Sequence, residues 1–561
     1  GARRPARAGE VSVVGERGAL SPASLLRRAE QAIATTRGAC AVAAAALAVY
    51  ALESVALPVI PGRDFGTYLR FYVQMWDWHS VWPMTMLFRT PVAPLVVGGS
   101  LDLLGGWGTH ALMALLFAAS VLAWTRVALA FGRRAALLVA ASLVLYPGYG
   151  ILFHELASDS ITAAAFAGFA LVLARASAAP RVSRFALVGV AVAVAALTRP
   201  GNQALVLAAA VPLAVAARWR DRLASAAACA GAALALLGAW AVCNGIRYDD
   251  YSVARGGKAY LPFFRAFTRD HIVEPGNGPA SRELARAVAR QLLPKEPYRS
   301  YGITPSIFFA RATDREFEDL INLSDRVWGW DSDYAILRRA GIEAVEAHPR
   351  AYARGVAGTF LEELWHPLFV KLPERDRAAG SRAAPRRALA SVAAGRGVSA
   401  ARPKPLPPPA DGDIIPAAHW GFYSTTPDGH IDEIWTSPTA HRVVFSTGAG
   451  QRRFVEIEAA ASRLAARVPP YAGNRWLTLQ LSRSSRLFPP PLAWLAAGVL
   501  GFLLRRPRGG LLAGALAGSA LLLTLVNALT IYPVIEFAVP LAPALVVTGA
   551  AGLVGDRRRS R

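Results

Sequence analysis

The sequence predicts a polytopic α-helical membrane protein with about ten transmembrane helices and a large mixed α/β domain outside the membrane. Of the 561 residues, 54% are hydrophobic, and the mean hydropathy is +0.33. Several apolar runs approach the roughly 20 residues that an α-helix needs to cross a bilayer core. The net charge of +23 lies mostly in arginine clusters between these runs, which is typical of cytoplasmic loops rather than of nucleic-acid binding.

The basic clusters set the direction of each crossing. The Arg-rich start of the chain is expected to stay inside, so the first apolar run acts as a signal anchor and exits. Basic residues flank 183–218 on both sides, which requires an even number of crossings between them. Two short spans that turn at Thr198-Arg199-Pro200-Gly201 meet this requirement. The predicted spans are 36–58, 109–131, 135–150, 157–176, 184–198, 202–217, 223–245, 488–504, 510–530 and 535–554.

This count divides the chain into membrane and aqueous parts. Residues 1–35 and 555–561 are predicted to be cytoplasmic, 36–245 to be a transmembrane module, and 487–554 to be the C-terminal helices. The module carries outer loops at 59–108 and 151–156, and within the first loop 68–107 is expected to hold interfacial helices, because it mixes aromatic, charged and apolar residues.

Residues 246–486 are long enough for an extracytoplasmic domain. Helical periodicity appears in 281–293 and in 334–364, where Pro349 should split the helix. Strand-like alternation appears in 442–446 and 453–457, and the Arg-, Ala- and Pro-rich stretch at about 374–413 is predicted to be a flexible linker.

Acidic and basic residues at the outer ends of the spans are the candidates for chemistry. Arg63 and Asp64 follow the first span, where an ionisable residue is costly and more often functional than decorative. Glu155 and Asp159 lie in the second outer loop and would share a face on a helix. Two other interpretations stay open: Asp64 could merely end a helix, and Asp159 could stabilise a helix N-terminus through the dipole.

Three motifs occur along the chain in a set order. Arg63-Asp64 is followed by Arg89-Thr90-Pro91-Val92-Ala93-Pro94 and then by Leu197-Thr198-Arg199-Pro200-Gly201. In this order and placement they resemble the membrane glycosyltransferases of the C-type (GT-C) fold, specifically the bacterial branch related to aminoarabinose and protein-mannosyl transferases, over about residues 36–220. The resemblance implies a sugar donor carried on polyprenyl phosphate, a catalytic aspartate at Asp64, and a second acidic position at Asp159, with Glu155 beside it.

The resulting hypothesis is an inverting hexosyl- or pentosyltransferase. It would move a sugar from a polyprenyl-phosphate donor to a cell-envelope glycan, glycolipid or protein on the outer face of the bacterial plasma (inner) membrane. Asp64 would take the proton of the acceptor hydroxyl, while Arg63 and Arg199 would bind the donor phosphate. Arg199 could alternatively snorkel to the interface.

No cofactor or metal is assigned with certainty. Asp64, Glu155 and Asp159 could together hold a divalent cation through oxygen ligands, but no fixed ligand spacing supports it. Two further functions remain as alternatives: a lipid or glycan transporter or flippase, and a membrane-anchored glycan-binding protein.

Overall fold

The computed structural model of the protein describes residues 22–76, 88–296, 298–300, 302–365, 424–426, 429–437, 440–445, 448–470, 474–531 and 535–557. Within these ranges the chain is mainly helical, and every predicted span coincides with helical structure. The predicted linker at 374–413 lies outside the described residues. The helices that correspond to the spans are Thr36–Ala56, Val92–Ala128, Arg133–Leu145, Ser158–Ala178, Val182–Thr198, Pro200–Ala210 with Val211–Val215, Trp219–Tyr248, Pro491–Arg505, Gly510–Thr530 and Ala542–Val554.

Five helices in the described part of the chain are long and apolar enough to cross a bilayer. They are Thr36–Ala56, Val92–Phe131, Ser158–Ala178, Trp219–Tyr248 and Gly510–Thr530. Large apolar side chains such as Leu234, Leu503 and Leu504 are exposed on these and neighbouring helices, as lipid-facing positions would be. The predicted helical membrane architecture is thereby confirmed, while the direction of each crossing stays a prediction.

The short helical hairpin of the prediction is present, and its second arm has an unusual winding. Val182–Thr198 is an α-helix, whereas Pro200–Ala210 is a 3-10 helix that continues as the α-helical turn Val211–Val215. A 3-10 helix rises about 2.0 Å per residue instead of 1.5 Å. The second arm therefore extends roughly 29 Å with few residues, which is close to the thickness of a bilayer core.

The helix Val92–Ala128, which continues from the predicted first outer loop 59–108, contains a break. Val92–Ala128 is interrupted at Gly105, whose φ of 69° lies in the left-handed region that favours glycine. Residues before the break and the helix Phe65–Met75 provide helical structure in the loop 68–107, and their interfacial position stays a prediction. Residues 77–87, between them, lie outside the described part.

The described part of residues 246–486, which was predicted as an outer domain and is called the outer region below, contains a hydrophobic core of its own. Phe263, Phe267, Leu320 and Leu337 are buried in it. The helices around this core include Pro279–Ala287, Pro305–Ala310, Asp314–Trp328 and Ala335–Ala347. A further helix, Pro349–Trp365, begins at the proline that was predicted to split the stretch, and that prediction is confirmed.

The second half of this region contains a three-stranded antiparallel sheet and two helices. The strands are Ser424–Thr426, Gly429–Ser437 and Ala440–Phe445, so the predicted strand at 442–446 is confirmed in position. The predicted strand at 453–457 is wrong, because these residues belong to the helix Gly448–Ala465. The last helix before the membrane is Arg475–Ser485.

Long-range contacts join the first half of this region to a membrane helix and the second half to the predicted first outer loop. Arg265, which is 1% exposed, donates to the carbonyl oxygen of Ala528 at 2.7 Å and so connects the outer core to the helix Gly510–Thr530. Arg467 donates to the carbonyl oxygen of Leu101 at 2.9 Å, and Arg70 pairs with Glu458. These contacts connect the predicted first outer loop and the membrane helix Gly510–Thr530 to the region 246–486.

Candidate active site

A short parallel β-bridge joins the two outer loops. Ile60–Pro61 pairs with Glu155–Leu156, with Ile60 opposite Glu155, and the amide of Ile60 donates to the carbonyl oxygen of His154 at 2.8 Å. Because the strands are parallel, both chains leave the bridge in the same direction. Asp64 and Asp159 are each the third residue after the last paired position. The bridge therefore places the two acids, which are distant in the sequence, at equivalent positions after two paired strands.

The loops approach so closely that one of them requires glycine. A Cβ atom at Gly62 would lie 2.8 Å from the Cβ of Ala157 and 3.2 Å from the Cβ of Glu155. Side-chain carbon atoms cannot come that close without displacement of the backbone. Gly62 thus sets the distance between the two acidic loops.

Asp64 is held in a strained backbone conformation and by one arginine. Its φ of 60° and ψ of 11° are left-handed, and it immediately precedes the helix Phe65–Met75. This conformation costs roughly 1–2 kcal/mol for most residues, although Asp tolerates it better than most. Arg89 donates through Nη2 to Oδ2 of Asp64 at 2.9 Å, and each side chain is about a third exposed, at 31% and 32%. Such strain occurs frequently at functional sites.

Asp159 forms the second acid–arginine pair. It lies in the first turn of the helix Ser158–Ala178, where a carboxylate is favoured by the helix dipole. Arg199 donates through Nη1 to Oδ1 of Asp159 at 2.9 Å. The side chain of Asp159 is 6% exposed and that of Arg199 is 17% exposed.

The turn at Thr198-Arg199-Pro200 directs Arg199 towards this pair. Arg199 has an extended backbone, with φ of −150°, as the residue before a proline prefers. Its guanidinium carbon lies 3.3 Å from the centre of the Phe537 ring, and that of Arg63 lies 5.6 Å from the same ring. These contacts fit cation–π attraction and bring two arginines to one aromatic side chain.

Two tyrosines add polar groups next to the acids. Tyr68 is buried, and its pKa is raised by this burial and by the nearby charge of Asp64. Burial also raises the pKa of Tyr260 to about 12, against the opposing effect of Arg89. The charge of Asp64 raises the pKa of Arg89. At neutral pH these tyrosines are therefore protonated hydroxyls that can donate hydrogen bonds, beside an arginine that stays charged.

All these groups face one cavity of about 730 Å³ between the membrane module and the outer region. Of the predicted site residues, Arg63, Asp64, Asp159 and Arg199 line it. Glu155 is not among the lining residues and belongs to the bridging strand. Glu155 and Asp159 would have shared a face only if both were helical, and only Asp159 lies on a helix.

Three residues of the site were not identified from the sequence. Arg89 belongs to the second motif, so the motif itself was the signal, but its partner Asp64 could not be read from the spacing. Tyr68 had no signal beyond its place in an aromatic stretch. Tyr260 had none, because it comes from the outer region and reaches the cavity through the tertiary structure.

A metal centre at the three candidate acids is not supported by the geometry. Asp64 is paired with Arg89, Asp159 with Arg199, and Glu155 lies outside the cavity lining. Across the described ranges, no group of three or more His, Cys, Asp or Glu side chains is arranged to hold a metal ion.

Comparison with known proteins matches part of the chain to a family. Residues 89–243 match the family model described as dolichyl-phosphate-mannose-protein mannosyltransferase. This segment contains Arg89, Asp159 and Arg199. No curated protein matches the chain.

Two solved structures align with most of the chain at low similarity. ArnT from Cupriavidus metallidurans in the apo state has 14% identity and a TM-score of 0.31, and the alignment covers 83% of this chain and 80% of that one. ArnT from Cupriavidus metallidurans bound to undecaprenyl phosphate has 14% identity and a TM-score of 0.34, covering 84% and 81%.

The family match covers the segment that carries two of the three motifs. This segment is therefore similar to the protein-mannosyltransferase family, in agreement with the relation predicted from the motifs.

Proposed function

We propose that the protein is an inverting glycosyltransferase that moves a sugar from a polyprenyl-phosphate donor to a cell-envelope acceptor on the outer face of the plasma membrane. The observation that carries the proposal is the pair of acid–arginine contacts, Asp64–Arg89 and Asp159–Arg199, in one cavity of about 730 Å³. A cavity of this size accommodates a sugar with its phosphate and part of an acceptor. The family match of residues 89–243 supports the same reaction class.

Asp64 acts as the general base in this proposal. Its carboxylate takes the proton of the acceptor hydroxyl while the hydroxyl oxygen attacks the anomeric carbon of the sugar. The bond between that carbon and the phosphate oxygen breaks, and polyprenyl phosphate leaves with the bonding electrons. Arg89 fixes the orientation of Asp64 through the 2.9 Å contact to Oδ2.

Arg199 and Arg63 stabilise the leaving phosphate. Their guanidinium carbons lie 3.3 Å and 5.6 Å from the centre of the Phe537 ring, so both charges are near the same part of the cavity. A guanidinium meets phosphate oxygens in a bidentate manner and stays charged at every physiological pH. Asp159 keeps Arg199 in place by accepting from its Nη1.

The donor and the acceptor enter from different environments. The prenyl chain approaches through the apolar helices, and the acceptor approaches past the outer region. The acceptor is a glycan, a glycolipid or a protein, and the transferred sugar is a hexose or a pentose.

Asp64→Asn tests the assignment. Asparagine matches aspartate in shape and also tolerates the left-handed conformation of residue 64, so this variant should fold. The donors are undecaprenyl phosphates that carry a hexose or a pentose. We expect the rate at which undecaprenyl phosphate is released from them to fall by a factor of about 10² to 10⁴. The assay uses the purified full chain in nanodiscs with membrane glycan extract as acceptor, and Asp221→Asn, an exposed carboxylate at another helix start, is the control.

Binding of undecaprenyl phosphate itself should survive in the Asp64→Asn variant. If that variant turns over at the normal rate, Asp64 is not the base. The transporter alternative replaces the transferase on two results together. The unaltered protein turns over neither donor in nanodiscs, and the same protein in lipid vesicles moves undecaprenyl phosphate across the bilayer.

A further inference from the structure

The cavity has a second charged wall, which comes from the outer region. Asp314 and Glu318 lie four residues apart on the helix Asp314–Trp328 and therefore share one of its faces. Both line the cavity, as does Phe317 between them. The arginines of the donor side, by contrast, belong to the outer loops and membrane helices. The membrane side of the lining thus carries three arginines and two aspartates, whereas the charged lining residues of the outer region are the two carboxylates.

Aromatic rings connect the acidic wall to the catalytic pair. Tyr260 stacks on Phe264 with 4.7 Å between ring centres and meets Phe317 edge-on at 5.2 Å. The charges of Arg89, Asp64, Glu318 and Asp314 all act on its hydroxyl. Tyr260 therefore stands within electrostatic reach of both walls. Carboxylates beside aromatic faces are a combination that binds sugar rings, since the carboxylates accept from hydroxyls and the rings pack on the apolar sugar face.

We propose that Asp314, Glu318 and Tyr260 form the acceptor subsite, and that it takes a glycan whose nearby groups are hydroxyls or ammonium rather than anions. This inference rests on the proposed function and narrows its acceptor class. The two walls also orient the reactants. The donor phosphate is attracted to the arginines and repelled by the carboxylates, so it enters in one orientation and the acceptor occupies the opposite side.

Three glycosides of similar shape test the subsite: methyl glucosaminide, methyl glucoside and methyl glucuronide. They carry an ammonium group, no charge and a carboxylate, respectively. Saturation-transfer NMR on the full chain in nanodiscs measures their binding. We expect affinity to fall in that order, with about three- to tenfold between neighbours, because the carboxylates attract the first and repel the last.

The double variant Asp314→Asn with Glu318→Gln should remove this order while leaving undecaprenyl phosphate binding unchanged. A matched double variant at exposed carboxylates of the same region, Asp331→Asn with Glu346→Gln, should retain the order. An unchanged order in the wall variant, an order that is absent in the unaltered protein, or no binding of any glycoside would each overturn the proposal.

The failure of this inference differs from the failure of the proposed function. If the unaltered protein shows no charge order and Asp64→Asn is inactive, only the acceptor subsite is rejected. Full activity of Asp64→Asn together with an intact charge order would reject the catalytic assignment and leave a glycan-binding wall.

Discussion

Two arginine–carboxylate centres in this protein use the same residue types in opposite ways. Arg255 in the outer region is 1% exposed and donates to Asp250 at 2.8 Å, to Asp325 at 3.0 Å and to the carbonyl oxygen of Trp330 at 2.7 Å. Its Nε also donates to the Tyr334 hydroxyl at 3.0 Å. Arg89 in the cavity is 31% exposed and pairs with the single carboxylate of Asp64.

The difference separates structural from functional arginines. The donors of a buried guanidinium must be satisfied by the protein, because a missing partner leaves a buried charge uncompensated. A partly exposed guanidinium in a cavity can exchange water for the oxygens of a ligand. Arg255 should therefore contribute to stability, and Arg89 should contribute to activity.

The largest expected effect is on stability and comes from Arg255→Ala. The substitution leaves the buried Asp325 without its cation and leaves Asp250 with Lys258 alone, so we expect a loss of about 3–5 kcal/mol. Thermal or denaturant unfolding of the full chain in detergent measures it. Arg286→Ala, at an exposed position of the same region, should leave stability almost unchanged. Equal stability of the two variants would contradict a structural role for the Arg255 cluster.

Arg89→Ala should show the reverse behaviour. Its ion pair is partly exposed and worth about 0–1 kcal/mol, so the melting temperature should hardly move. Transfer activity should fall by about 10² to 10³, since Asp64 loses its orienting partner and the site loses a cation. Arg311→Ala, an exposed arginine outside the cavity lining, serves as the control. A large loss of stability with little loss of turnover would erase the contrast with Arg255.

Gly62→Ala should produce the smallest of these effects and sharpen the comparison within the site. The added Cβ would lie 2.8 Å from the Cβ of Ala157, so the two acidic loops must separate slightly. We expect a cost of about 1–3 kcal/mol and a fall in turnover, because the acids and their arginines lose their mutual alignment.

Gly66→Ala is the matched control for that variant. Its added Cβ would meet Arg70 Nη1 at 3.7 Å, which is an ordinary contact. Unfolding and turnover should both stay near normal there. If Gly62→Ala behaves like Gly66→Ala, the close approach of the loops has no role in the site.

Local patterns predicted helices more reliably than strands. The helical stretch at 334–364 and its division at Pro349 follow from periodicity and from the missing amide of proline. The five residues at 453–457 were too few to separate a strand from a helix, and their neighbours extend them into the helix Gly448–Ala465. Glu155 was predicted in an outer loop, and its pairing with Ile60 in a short strand was not predicted.

The sequence by itself determined which segments are helical in the membrane part and which motifs carry the charged residues. Apolar backbone in lipid must satisfy its hydrogen bonds within each segment, so a long apolar run specifies a helix without reference to the rest of the chain. Only the tertiary structure decided that Asp64 pairs with Arg89, that Asp159 pairs with Arg199, and that Tyr260, Asp314 and Glu318 close the cavity. Those contacts join residues far apart in the chain, and their geometry depends on the packing of several elements at once rather than on any local pattern.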